Sequence, residues 1–72
     1  MEYNLRLREL RGSLGMTQRE VARRMGVTPG AVARWELGDS KPTMDNLLAL
    51  AALLDCSVDT LLGRESPERT SA

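Results

Sequence analysis

MTQREVARRMGVTPGAVARWELG, residues 16–38, carries two complete sets of helix start and stop signals. Thr17 stands where a side-chain oxygen can accept from early backbone N–H groups, and Glu20, three residues on, is spaced to reach back to the Thr17 amide as a capping box. Met16 before the cap and Val21 after it occupy the positions of a hydrophobic staple. Gly26 follows Met25 where a chain leaving a helix adopts a left-handed conformation that other residues reach only at a steric cost, so a turn is expected over Met25 to Val27. The signals then repeat. Thr28 is a cap, Pro29 sits at the first helical position where its missing N–H costs nothing, Val27 and Val32 can staple, and Gly38 is a stop. Two short capped helices joined by a tight glycine turn make a helix-turn-helix, a device that places its second helix in the DNA major groove.

The helical period of 3.6 residues assigns the faces. Val21, Ala22 and Met25 of the first motif helix, with Val32, Trp35 and the stem of Glu36 on the second, point to one interior. Gly30, Ala33, Arg34 and Leu37 form the opposite face of the second helix, with Pro29 at its tip. Arg34 projects from that face, and an arginine can bind O6 and N7 of guanine with two hydrogen bonds; a phosphate contact is the competing role. Trp35 is expected in the core, filling the space between the third and fourth helices. Thr28 is assigned chiefly to capping, with a phosphate bond as a second use. Gln18 opens the first motif helix, where its side chain and the helix N-terminus can both meet a phosphate.

The remaining sequence supplies three more helices. From Asn4 to Leu14, Leu7, Leu10 and Leu14 recur at spacings of three and four, and Gly15 is a stop. DSKPT after Gly38 is loop chemistry, and Thr43 caps a helix from Met44 to Leu54 whose core stripe is Leu47, Leu50, Ala51 and Leu54. Asp55 and Cys56 break that pattern. Ser57 caps a short fifth helix, Val58 to Leu62, ended by Gly63. One domain is expected over residues 1–63, and the polar stretch RESPERTSA, residues 64–72, is expected to be a disordered tail. A chain of 72 residues buries roughly 60% of its unfolded surface, enough for one small core.

Composition removes several classes of function. With no histidine and a single cysteine, Cys56, neither an internal disulfide nor a multi-ligand zinc site is available. Cys56 is expected as a small buried apolar residue, redox sensing being the other reading. No cofactor is expected. The chain shows no phosphate loop and no pair of carboxylates on one helix face, so an enzyme is not expected. No apolar run approaches the roughly 20 residues of a membrane span and no charged-then-apolar leader opens the chain, so a soluble intracellular protein is expected.

Charge argues in both directions. Ten basic and ten acidic residues cancel, and the bulk basic footprint of a nucleic-acid binder is missing. The charges are nonetheless polarised along the chain. Up to Lys41, eight cations face five carboxylates; from Pro42 onward, two face five. A surface built from the first three helices would be positive, with the acidic C-terminal end held off phosphates. Ordinary solvation of helix faces accounts for any single arginine outside the motif equally well.

Across residues 5 to 63 the chain resembles the Cro and lambda-type repressors, the XRE-type regulators. The resemblance rests on TQREVA, GVTPGAV, RWELG, the proline after a short loop, and the closing leucine-rich helices. It implies an all-α, compact five-helix lambda-repressor-like DNA-binding domain with double-stranded DNA as partner, in a bacterial cytoplasm or phage-infected cell. Carried over residue by residue, it gives Gln18 a DNA contact and pairs Glu36 with Arg11, locking the second motif helix in place. It also implies two-fold dimers on inverted half-sites, for which Leu53, Val58, Leu61 and Leu62 are candidate contacts; they serve equally well as ordinary core.

Two departures from the family pattern matter. Pro29, Gly30 and Ala31 stand at the helix tip where many relatives carry polar groups; they can approach backbone or a thymine methyl but offer no side-chain hydrogen bonds. Leu37 stands where relatives often place a basic or polar residue, and Lys41 in the following loop is the candidate replacement. The expected function is a sequence-specific DNA-binding regulator, a repressor. The neutral charge and bare tip keep a second reading open, a protein-interaction module of the same fold with weak DNA binding.

Overall fold

A computed structural model describes residues 5–63 and consists, over that span, of helices and connecting turns. The helices are α1 (Leu7–Ser13), α2 (Gln18–Met25), α3 (Pro29–Leu37), α4 (Met44–Leu53) and α5 (Val58–Leu61). Four of the five begin on a side-chain cap. Thr17, Thr28, Thr43 and Ser57 each accept from the backbone N–H three residues on, at 3.0, 3.1, 3.1 and 3.0 Å. Helix α1 lacks such a cap at Arg6; instead the Arg6 N–H donates to the Leu61 carbonyl at 2.8 Å. The last helix thus anchors the start of the first.

The turns between α2 and α3 and after α3 depend on glycine. Gly26 and Gly38 adopt φ of 74° and 83°, and the N–H groups of Val27 and Asp39 reach back five residues to Ala22 and Arg34 carbonyls, both at 3.0 Å. This closes each helix and satisfies carbonyls that would otherwise lack partners. Asp55 does the same after α4 at φ 56°, a conformation that aspartate tolerates better than most side chains. Leu7, Val21, Val32, Leu50 and Leu61 are fully buried and draw all five helices around one core, with Trp35 and Leu47 beside them.

Several expectations are corrected. Leu14 is not part of the α1 stripe: the helix stops at Ser13, Gly15 turns the chain at φ 70°, and Leu14 is left 51% exposed. Only half of the capping box at α2 is present, because Glu20 turns its carboxylate to Arg24 and Arg23, at 3.4 and 3.8 Å. Helices α4 and α5 each end one residue sooner than read, although Leu54 is still buried. Cys56 is half-buried against the core rather than fully inside it. Leu61 is fully buried within its own chain, which removes it from the candidate dimer contacts. The first helix starts at Leu7 rather than near Asn4, since Leu5 and Arg6 precede it; Asn4 itself and the tail from Arg64 lie outside the described residues.

The caps make a direct prediction. Thr43→Ala removes the oxygen that binds the Asn46 amide and is expected to cost about 1 kcal/mol. In a domain of this size that lowers the melting temperature by about 4–8 °C, read by thermal unfolding. A shift within error of zero would mean that water replaces the cap without loss.

Candidate nucleic-acid interface

The motif holds α3 by packing on one side and presents the other to solvent. Val32 and Trp35 are buried, whereas Pro29, Gly30, Arg34 and Leu37 are exposed and Ala33 is half-exposed. Ala31, expected at the DNA-facing tip with Pro29 and Gly30, turns inward and packs against the core. The outer face therefore offers one side chain with hydrogen-bonding capacity, Arg34. Lys41 is exposed in the loop after α3. Thr28 spends its oxygen lone pair on the Ala31 amide, and its hydroxyl hydrogen can still be donated outward.

A polar clamp behind this face ties three elements together. Arg11 of α1 meets Glu36 of α3 in a two-pronged pair, Nε to Oε2 at 2.6 Å and Nη2 to Oε1 at 3.1 Å. The third arm, Nη1, donates to the Met16 carbonyl at 3.0 Å, just before α2. Gln18 completes the clamp by donating Nε2 to Glu36 Oε1 at 2.9 Å. The Glu36 side chain is 5% exposed and that of Arg11 17%, so two-pronged geometry and low exposure make this pair unlike the solvent-exposed ones on α1 and α2. Sequence spacing said nothing of the Gln18 arm, which spans eighteen residues. The Gln18 amide has two hydrogens, so its bond to Glu36 leaves one donor for a phosphate.

Beside the clamp lies an open hollow of about 370 Å³ lined by Arg8, Arg11, Gln18, Ala33, Glu36 and Leu37. Arg8 was not singled out from the sequence. The available signal was its spacing, three residues before Arg11 and so on a shared face of α1.

Electrostatics follow this geometry. Burial pushes the Glu36 carboxyl up, but hydrogen bonds from Arg11 and Gln18 and the charges of Arg11 and Arg8 outweigh it, leaving the group below its ordinary 4.5. The hydrogen bond to Glu36 raises Arg11 further above its already high value, against a smaller opposing effect of burial, so Arg11 stays charged throughout. A lowered carboxyl stabilises the fold fully above 4.5 and loses that contribution as pH falls through its folded value. Wild type should therefore lose stability below pH 4.5 more steeply than Glu36→Gln, as read by urea unfolding along a pH series. Equal slopes would remove Glu36 from the acid response.

The proposed dimer residues divide differently from the sequence reading. With Leu61 interior, Leu53, Val58 and Leu62 remain half-buried against the core. Among the described residues no helix is long and apolar enough to cross a membrane, and no group of three or more potential ligands is placed to hold a metal.

A core-packed α2, a glycine turn and an exposed α3 braced from α1 define a helix-turn-helix domain. The chain belongs to the Cro and lambda-repressor-like, XRE-type helix-turn-helix family of transcriptional regulators, and the family model described as "Helix-turn-helix" matches residues 7–61. It is 41% identical over 66 residues to the HTH-type transcriptional regulator DicA of Escherichia coli K12, covering 90% of this chain and 49% of DicA. It is 32% identical over 65 residues to the HTH-type transcriptional activator BcrR of Enterococcus faecalis, covering 90% of this chain and 32% of BcrR. The chain thus spans half or less of the length of these two relatives. Among solved structures, the P22 c2 repressor in complex with a synthetic operator superposes with a TM-score of 0.77 at 37% identity, covering 83% of this chain and 91% of that one.

Proposed function

We propose that this domain binds double-stranded DNA sequence-specifically, with α3 in the major groove and Arg34 reading a base edge, and that it regulates transcription as a repressor in the cytoplasm. The observation that carries this reading is the pairing of an exposed arginine on α3 with a low-exposure clamp that fixes the helix beneath it. A reading group gains precision when the element bearing it is rigid. Gln18, Thr28, Arg8 and Lys41 are the phosphate contacts, setting register without reading sequence. The P22 c2 repressor's complex with an operator supports the DNA partner. One module reads few base pairs, so two copies on inverted half-sites about one helical turn, roughly 34–36 Å, apart supply the rest of the specificity. Leu53, Val58 and Leu62 are the residues of this chain offered for that contact. No enzymatic step is assigned to it.

A second reading rests on Leu37, 75% exposed on the same face of α3. An apolar residue there suits a protein partner better than a phosphate strand. Selection from random duplex DNA at low salt separates the two. The DNA reading expects an enriched motif and an affinity that falls steeply with added salt as the entropic gain from counterion release shrinks. No enriched motif would discard the sequence-specific reading in favour of the protein partner.

A further inference from the structure

Arg34 does not stand straight out from α3. Its Nη1 lies 3.6 Å from the point a Cβ on Gly30 would occupy, and Thr28 Oγ1 lies 3.9 Å from that point. Residues four apart share a helix face, and long side chains lean toward the N-terminus. At 1.5 Å of rise per residue, Gly30 is about 6 Å nearer the tip than Arg34. The guanidinium therefore lies where a side chain longer than alanine at position 30 would extend. Among the described residues no carboxylate draws it there; the ion pairs join Arg6 to Glu9, Arg11 to Glu36, and Arg23 and Arg24 to Glu20.

The geometry points to Gly30 as a specificity-determining residue of the reading face: lacking a side chain, it delivers the Arg34 guanidinium to the base pair that residue 30 itself would face. This rests on α3 being the major-groove helix. Gly30 is the second residue of α3 and an added Cβ there would make only ordinary contact, so neither its φ nor its surroundings require glycine at position 30. The vacancy has a use in recognition. A tip made of Pro29 and Gly30 has no side-chain donors, and the folded-back arginine brings it a fork that matches guanine O6 and N7. Gly30 acts through Arg34, as a positioning residue.

The test compares wild type, Gly30→Ala, Gly30→Leu, Arg34→Ala and Gly30→Leu with Arg34→Ala, each by selection from random duplexes and by melting temperature. Arg34→Ala is expected to lose discrimination at one base pair by about 5- to 150-fold. Gly30→Leu is expected to lose it at the same base pair, Gly30→Ala to lose less, and the double variant to lose no more than either single one. If leucine lowers the melting temperature, Gly30→Met, unbranched and one atom longer, replaces it with the same expected result. A Gly30→Leu variant that keeps the Arg34-dependent preference, or loses preference at a different base pair, overturns the inference while leaving the DNA reading intact. A wild-type protein that enriches no motif overturns the DNA reading itself.

Discussion

Arg11→Met should lower folding stability by about 1–3 kcal/mol, the loss expected when charge-assisted hydrogen bonds to a part-buried carboxylate are removed and the carboxylate stays behind. Three contacts disappear together: both prongs on Glu36 and the bond to the Met16 carbonyl. Glu36 is then held by Gln18 alone. A domain of this length has about 4–11 kcal/mol in total, so the loss is a large part of its stability and is best measured by urea unfolding near 15 °C. Adding Glu36→Leu removes the stranded carboxylate and should recover most of the loss, because apolar replacement of a low-exposure pair is often neutral or better. A single-variant loss under about 1 kcal/mol would show that the clamp behaves as an ordinary surface pair.

Arg34→Ala should cost about 1–3 kcal/mol of binding on the preferred duplex and relax selection at one base pair. Folding stability should move by no more than about 0.5 kcal/mol, since the side chain is exposed and joins no ion pair among the described residues. Arg34→Lys keeps the charge and loses the planar fork, so it should recover affinity for all duplexes without recovering the base preference. Competition binding against duplexes varied at each position reads both effects. A uniform loss on every duplex would make Arg34 a phosphate contact instead. Gln18→Ala is the useful contrast: it should weaken all sequences alike and also lower stability slightly, because the same amide holds Glu36.

The two predictions differ in how far each was legible in the sequence. Arg34 could be placed on an exposed face from helical period alone, yet nothing in the period shows its guanidinium lying over Gly30. The meeting of Arg11 with Glu36 came from family resemblance, not from spacing. The attachment of Gln18 to the same carboxylate was not anticipated, so a residue read only as a phosphate contact also has a structural task. Arg8 was passed over because one arginine among several on α1 carries no mark until the hollow beside α3 is seen.

Elements whose causes lie within a few residues were readable directly. Thr17, Thr28, Thr43 and Ser57 cap where their spacing placed them, and Gly26 and Gly38 turn left-handed as their positions required, since a cap or a positive φ is satisfied by neighbours in the chain. The order of helices and the major core stripes follow from the same local rules. Tertiary packing alone decided that Leu61 is interior and that Ala31 turns inward. It also decided that one carboxylate gathers Arg11 and Gln18 from two other helices. The physical reason is the range of the interaction: period and capping act across three or four residues, whereas these outcomes depend on how whole helices sit against one another and which of several competing partners comes within reach.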